Sequence, residues 1–205
     1  LPIFVVEGLR SGVAAIGVGT YGADPIRLAL VLALVGFAFI GLVDDLAADT
    51  RARGFSGHVR AALAGRVTGG TAKLLAGGTL ALTLVASVHH ARGGQLLLDA
   101  ALVALAANLA NLLDLAPGRT IKVGVVAWVP LAVVGVVASS GTTAARATVT
   151  AAVCVGAFVG LLFDDLHEHL MLGDTGANAF GALLGTECVL VTSPRSEEHT
   201  SELQS

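Results

Sequence analysis

Three groups of polar residues interrupt an otherwise apolar chain, and their types and spacing suit phosphate chemistry. Asp44 and Asp45 close the run VGFAFIGLVDDL. Adjacent carboxylates repel unless a cation or partner lies between them, and one of the two can titrate high enough to accept a proton. Such a pair suits magnesium with phosphate, or general-base work. Asn108, Asn111 and Asp114, in NLANLLDLAPGR, recur every three residues and share one helical stripe. Asparagines within an apolar helix are costly unless hydrogen-bonded, so they either tie helices together or bind a polar ligand. Pro117 and Gly118 then break the chain into a loop bearing Arg119 and Lys122, two cations suited to phosphate. In MLGDTGANAFGALLG, Gly173 and Gly176 flank Asp174 at the start of an apolar stretch. Asp174 or Thr175 there is either a helix cap or part of a Gly-rich helix N-terminus that holds a metal-bound diphosphate.

The elements that must position these residues are long and apolar. Hydrophobic residues make up 55% of the 205 and charged residues 13%, with a mean hydropathy of +0.82. A soluble domain carries roughly a quarter charged residues, so the composition points to a membrane protein. Seven stretches have about the length needed to cross a hydrocarbon core as helices, near 3–20, 25–43, 71–90, 95–113, 121–139, 145–163 and 175–192. Backbone groups in lipid must pair internally, and no alternating barrel pattern is present, so the blocks are expected to be helical. The fold class expected is an all-α polytopic transmembrane bundle of about seven spans. Cys154 and Cys188 lie within apolar blocks without metal-ligand spacing and read as buried thiols.

Loop parity and charge agree on an orientation. With the first block running outward, the second ends at Asp44 and Asp45 on the inner side. The polar loop that follows carries Arg51, Arg53, Arg60 and Arg66, and Lys73 opens the next helix. Arg and Lys in excess mark the cytoplasmic side. Asp114, Arg119, Lys122, Asp164, Asp165, Glu168 and Asp174 fall on the same side, while Asp24, His89, His90, Arg92 and Arg146 fall opposite. The carboxylates are therefore expected at the cytoplasmic face of a multi-pass plasma-membrane protein, where a soluble anionic substrate can meet a lipid-borne one. A transporter would place its ionisable groups nearer the midplane.

Both ends read as truncated. The chain starts at Leu1 with neither a basic n-region nor a cleavage site. Residues 195–205, RSEEHTSELQS, resemble the direct translation of a common short-read sequencing adapter, so the native segment is expected to be 1–194. Without them 11 basic residues face 12 acidic ones, and Glu197, Glu198, His199 and Glu202 carry no functional weight.

Taken in order, GxxDD (Gly41 to Asp45), NxxNxxD (Asn108 to Asp114) and GDTG (Gly173 to Gly176) resemble the polyprenyl-phosphate N-acetylhexosamine-1-phosphate transferases. These include phospho-N-acetylmuramoyl-pentapeptide transferase and UDP-N-acetylglucosamine-1-phosphate transferases, and the resemblance spans roughly 1–192. TAKLLAG, with Lys73, looks like that family's lysine-bearing helix start. The resemblance implies transfer of a sugar phosphate from a UDP-sugar to polyprenyl phosphate, with release of UMP, for cell-wall or surface-glycan synthesis. It implies Mg2+ as cofactor with Asp174 as its principal ligand. It also implies activation of the lipid phosphate by Asp44 or Asp45, phosphate binding by Lys73, and positioning of the nucleotide-sugar by Asn111 and Asp114. Asn108, Arg119 and Lys122 complete the expected substrate-binding set. The expected partners are the two substrates and the bilayer, without nucleic acid, and a homodimer is left open.

The sequence departs from the family pattern at two points. Pro117 stands where an acid is common, three residues beyond Asp114, and His169 stands where a basic residue often precedes GDTG. The histidine-rich loop that helps to choose the sugar would lie beyond residue 192, so the fragment alone is expected to be inactive. The competing readings are a transporter or structural membrane protein with acidic helix ends, and a CDP-alcohol phosphotransferase, whose DGxxAR motif is absent. Asp99 and His58 read as interfacial and loop residues. His167 and His169, beside Glu168, read as orienting a loop, with a metal as the lesser alternative, and Glu187 stands mid-helix without an assigned role.

Overall fold

The computed structural model describes residues 24–47, 69–88, 93–138 and 142–192. They form six helices: α1 (Pro25–Ala47), α2 (Gly69–Val88), α3 (Gly94–Leu113), α4 (Arg119–Val137), α5 (Thr143–Leu166) and α6 (Gly173–Thr192). Local chemistry fixes several starts. Pro25 takes the first position of α1, where its missing N–H costs nothing, and Asp24 Oδ1 accepts from the Ile26 N–H at 3.0 Å. Thr142 caps α5, its Oγ1 accepting from Ala145 N at 3.2 Å. Gly118 and Gly173, with φ of 66° and 61°, adopt the left-handed turns that open α4 and α6.

The all-helical expectation holds among the described residues, which do not confirm the count of seven spans. The block near 3–20 lies outside the described residues, as do Arg51, Arg53, His58, Arg60, Arg66 and the 195–205 tail. Among the described residues, four helices are long and apolar enough to cross a membrane: α1, α3, α4 and α5. The apolar part of α2 is shorter, Ala72–Val88. The sixth helix falls short in hydropathy for a different reason. It sits in the middle of the bundle, packed most extensively against α1 and α3 and also against α4 and α5. Thirteen of its residues are buried, Asn178, Thr186 and Glu187 among them. A helix surrounded by protein needs no lipophilic surface, so its sequence is free to be more polar.

Close approach of helices comes from small residues on α6. Ala177, Gly181 and Gly185 recur every four residues, the spacing that lets neighbouring helix backbones meet. A Cβ on Gly181 would lie 2.7 Å from the Ala107 Cα, and one on Gly185 would lie 2.9 Å from the Val103 Cα. Phe180 fills the other side, stacked on Phe158 with ring centroids 4.3 Å apart. Large apolar side chains point outward instead, including Phe39, Leu105 and Val136. Water would not tolerate a surface of that kind over the whole bundle, whereas lipid tails are as apolar as the leucines themselves.

Glu187 has no solvent exposure and lies beside Thr148 and Trp128, so it sits within the bundle between α4, α5 and α6. Cys154 and Cys188 are free thiols. At the bundle end that holds the α1 N-terminus, Arg146 of α5 pairs with Asp24, its Nε donating to Oδ2 at 3.2 Å. Asp99 accepts from Gln95 Nε2 at 2.7 Å on the exposed face of α3.

Candidate active site at one end of the bundle

Three helices deliver charge to a single point. The Lys73 Nζ, at the start of α2, donates to Asp44 Oδ2 at the end of α1 and to Asp174 Oδ2 at the start of α6, both at 2.7 Å. The Lys73 side chain is 18% exposed, against 34% for Asp44 and 30% for Asp174, so water still reaches all three. An ammonium held between two carboxylates offsets the repulsion that would otherwise drive them apart.

Asp45, the neighbour of Asp44, does something else. Its Oδ1 accepts from the Asp174 N–H at 3.1 Å, and its Oδ2 accepts from the Thr175 N–H at 3.0 Å and the Thr175 hydroxyl at 2.7 Å. The first N–H groups of a helix have no partner within it, and a carboxylate there also meets the positive end of the helix dipole. Asp45 thus caps α6 from a different helix. The two adjacent aspartates are divided between an ion pair and a cap.

The glycines of the two motifs explain how the chains come this close. At Gly41 a Cβ would fall on the Asp174 carbonyl, and it would lie 2.6 Å from the Thr175 N. At Gly173 the left-handed backbone turns the chain so that a Cβ would lie 3.2 Å from Asp45 Oδ2. GxxDD and GDTG are therefore two halves of one contact, with Gly41 one turn before Asp45 on α1.

Asp114 follows the end of α3 at the same bundle end. Its Oδ1 accepts from Thr120 Oγ1 at 3.1 Å, and the Gly173 N–H points to it. Burial pushes its carboxyl above the ordinary value; the negative charges of Asp165 and Asp45 add to the rise, while Thr120 and the Gly173 N–H work against it. Asp165, only 3% exposed, accepts from the Gly118 N–H at 2.9 Å and so fastens the turn between α3 and α4 to the end of α5. The second Asp-Asp pair is divided as well, since Asp164 Oδ1 lies 3.5 Å from His169 Nδ1.

The other expected residues lie at varying distance from this point. Asn108 is exposed on α3 but shares a small cavity with Lys73. Asn111 is half-buried, and its Oδ1 is buried without a hydrogen-bond partner among the described residues. Arg119 and Lys122 are exposed in the first turn of α4. His167 bonds the Phe163 carbonyl at 2.7 Å and stacks near His169 at 5.8 Å. No group of three His, Cys, Asp or Glu residues poised around a common metal position occurs among the described residues.

With this geometry in hand, residues 27–192 match the sequence model of the family described as Glycosyl transferase family 4. The chain belongs to that family. No curated protein and no solved structure matches it. The matched segment takes in all three motifs and every helix of the bundle save the first two residues of α1. Family membership and the apolar helices together make the chain a membrane-bound glycosyl transferase.

Some polar residues at this end of the family member were not singled out in the sequence. Thr120 holds Asp114 while also reaching the Ala110 carbonyl at 3.3 Å. Thr120 carries no local signal, because its partner lies across a turn. Asn178 does carry one: it stands four residues beyond Asp174, on the same face of α6.

Proposed function

We propose that the protein transfers an N-acetylhexosamine-1-phosphate, or an N-acetylmuramoyl-pentapeptide phosphate, from a UDP-sugar to polyprenyl phosphate at the cytoplasmic face of the plasma membrane. UMP is the leaving product. The observation that carries this reading is the Lys73 ammonium bridged between Asp44 and Asp174 from three helices, at one end of an apolar bundle. Such a point is reachable both from the aqueous phase and from the lipid beside it.

The residues divide the work as follows. An oxygen of the lipid phosphate forms a bond to the sugar-bearing phosphorus of the donor. The bond from that phosphorus to the UMP oxygen breaks, and UMP leaves with the electron pair. Asp44 is the better placed of the two adjacent aspartates to accept a proton from the lipid phosphate, since Asp45 is engaged by three hydrogen bonds at the α6 start. Lys73 offsets the charge of the approaching phosphates. Asp114, Asn111 and Asn108 orient the nucleotide-sugar, with Arg119 and Lys122 at the rim.

The donor set fits Mg2+. Two carboxylates already share one cation at 2.7 Å, and Mg2+ is usually held by one or two carboxylates together with substrate phosphates and water. Asp174, with Asp44 beside it, would hold the ion, which supplies charge neutralisation for the phosphates. Asp45 is less suited, because its oxygens are taken up by the cap.

The test is UMP release from membranes expressing the gene. The assay supplies undecaprenyl phosphate, Mg2+, and either UDP-N-acetylglucosamine or UDP-N-acetylmuramoyl-pentapeptide. Failure to release UMP with any such donor rejects the transferase reading.

A further inference from the structure

Between α1, α2, α3 and α6, next to the Lys73 ion pair, lies a cavity of about 40 Å³. Its wall is apolar except for three side chains: Lys73, Asn108 and Asn178. Asn178 is the unusual one. It is 2% exposed, and its Nδ2 is buried with no hydrogen-bond partner among the described residues. A buried amide donor left unpaired is costly, and most native structures contain few of them. The orphaned Nδ2 is a donor, so the partner it lacks is an acceptor. The ammonium of Lys73 on the same wall favours an anionic acceptor.

We infer that Asn178 is a substrate-binding residue whose Nδ2 donates to a phosphoryl oxygen drawn into this cavity. The inference rests on the transferase reading and adds to it a residue outside the three motif positions. Asn178 lies four residues beyond Asp174, about 6 Å deeper along α6. A phosphate at the Asp174 end can therefore place one oxygen toward Lys73 and Asn178. The rest of the wall, including Phe37, Gly77 and Gly78, offers nothing to a sugar hydroxyl. The phosphoryl oxygen can come from the lipid phosphate or from the diphosphate of the nucleotide-sugar, and the same recognition serves either.

Two variants test this. Asn178→Leu removes the donor at similar size. Gly78→Val fills the cavity from α2, where an added Cβ meets nothing within 4 Å. The protein, purified in detergent, is assayed for binding of undecaprenyl phosphate and, separately, of UDP-N-acetylglucosamine and UDP-N-acetylmuramoyl-pentapeptide. Melting temperature and UMP release are followed in parallel.

Loss of one charge-assisted hydrogen bond predicts affinity weakened about tenfold or more for one ligand class in Asn178→Leu. Its melting temperature should be unchanged or higher, because an orphaned donor has gone. Weakening for undecaprenyl phosphate identifies the lipid as the source, and weakening for a nucleotide-sugar identifies the donor. Gly78→Val should weaken the same ligand. Unchanged affinity for all ligands in both variants overturns the inference while leaving the transferase reading standing. A wild-type protein that binds none of them and releases no UMP overturns both.

Discussion

Asp45 holds Thr175 by two hydrogen bonds, 3.0 Å from its backbone N–H and 2.7 Å from its hydroxyl, across 130 residues of sequence. This separates the roles of two adjacent aspartates that the sequence presents as equals, and the separation can be measured. Asp45→Ala removes a helix cap and should lower stability by about 1–2 kcal/mol, read as a lower melting temperature in detergent. Asp44→Asn should move the melting temperature much less and yet abolish UMP release. Equal effects on stability would deny the division between cap and ion pair.

The contact beneath that cap predicts a sharp contrast among glycines. Gly41→Ala forces a Cβ onto the Asp174 carbonyl. The clash is with backbone, which cannot swing aside as a flexible side chain can. Overpacking of this kind costs about 1–3 kcal/mol, and displacement of Asp174 should reduce UMP release as well. At Gly156, on α5, an added Cβ meets nothing within 4 Å. Gly156→Ala should keep activity and gain up to about 1 kcal/mol from helix propensity. Thermal melts of the two variants beside wild type check both expectations.

The glycine contrast also shows what sequence alone could reach. Five of the seven apolar blocks correspond to helices whose ends differ from the expected ones by three residues or fewer, and α1 runs four residues further, to Ala47. Periodicity was not needed for this, since the length of unbroken apolar sequence sufficed. The meeting of Asp44, Asp114 and Asp174 at one bundle end was legible too, because alternate loops of an up-and-down bundle must share a side. What was not legible is which carboxylate faces which partner. Asp44 and Asp45 differ by about 100° around α1, and only the position of α6 decides that one meets Lys73 and the other a helix start. The central place of α6 was equally hidden. Its lower hydropathy reads as a weak span, when the cause is burial by four neighbouring helices.

Asp114 supplies a prediction in pH. Burial, followed by the charges of Asp165 and Asp45, raises its carboxyl above the ordinary value, and the Thr120 hydroxyl restrains the rise. A folded-state value above the unfolded one means that the protonated form is favoured by folding. Its contribution to stability is present below the unfolded value, near 3.9, and is lost as pH rises through the folded value. Asp114→Asn cannot ionise, so its melting temperature relative to wild type should rise across that range, while UMP release is lost. Thr120→Val removes the restraining donor and should shift the acid limb of the wild-type pH–rate profile to higher pH. A shift to lower pH would contradict the role given to the hydroxyl. Melts and rates between about pH 4 and about pH 8 cover the window.

The bridge from Asp44 through Lys73 to Asp174 yields a test of the proposed metal that does not depend on turnover. Lys73→Met removes the ammonium that bridges two carboxylates, and like charges brought close destabilise the fold. The variant should melt lower than wild type in metal-free buffer and should release little UMP. A divalent ion that binds the same two carboxylates restores the missing charge. Ligand binding to the native state alone stabilises by about 2.7 kcal/mol at a concentration one hundred times the dissociation constant. Mg2+ should therefore raise the melting temperature of Lys73→Met by more than it raises that of wild type, in which the ammonium competes for the carboxylates. Asp174→Asn, added to Lys73→Met, should remove most of the Mg2+ effect, while Asp99→Asn, on the exposed face of α3, should leave it intact. A Mg2+-dependent gain that survives Asp174→Asn would place the ion elsewhere on the protein.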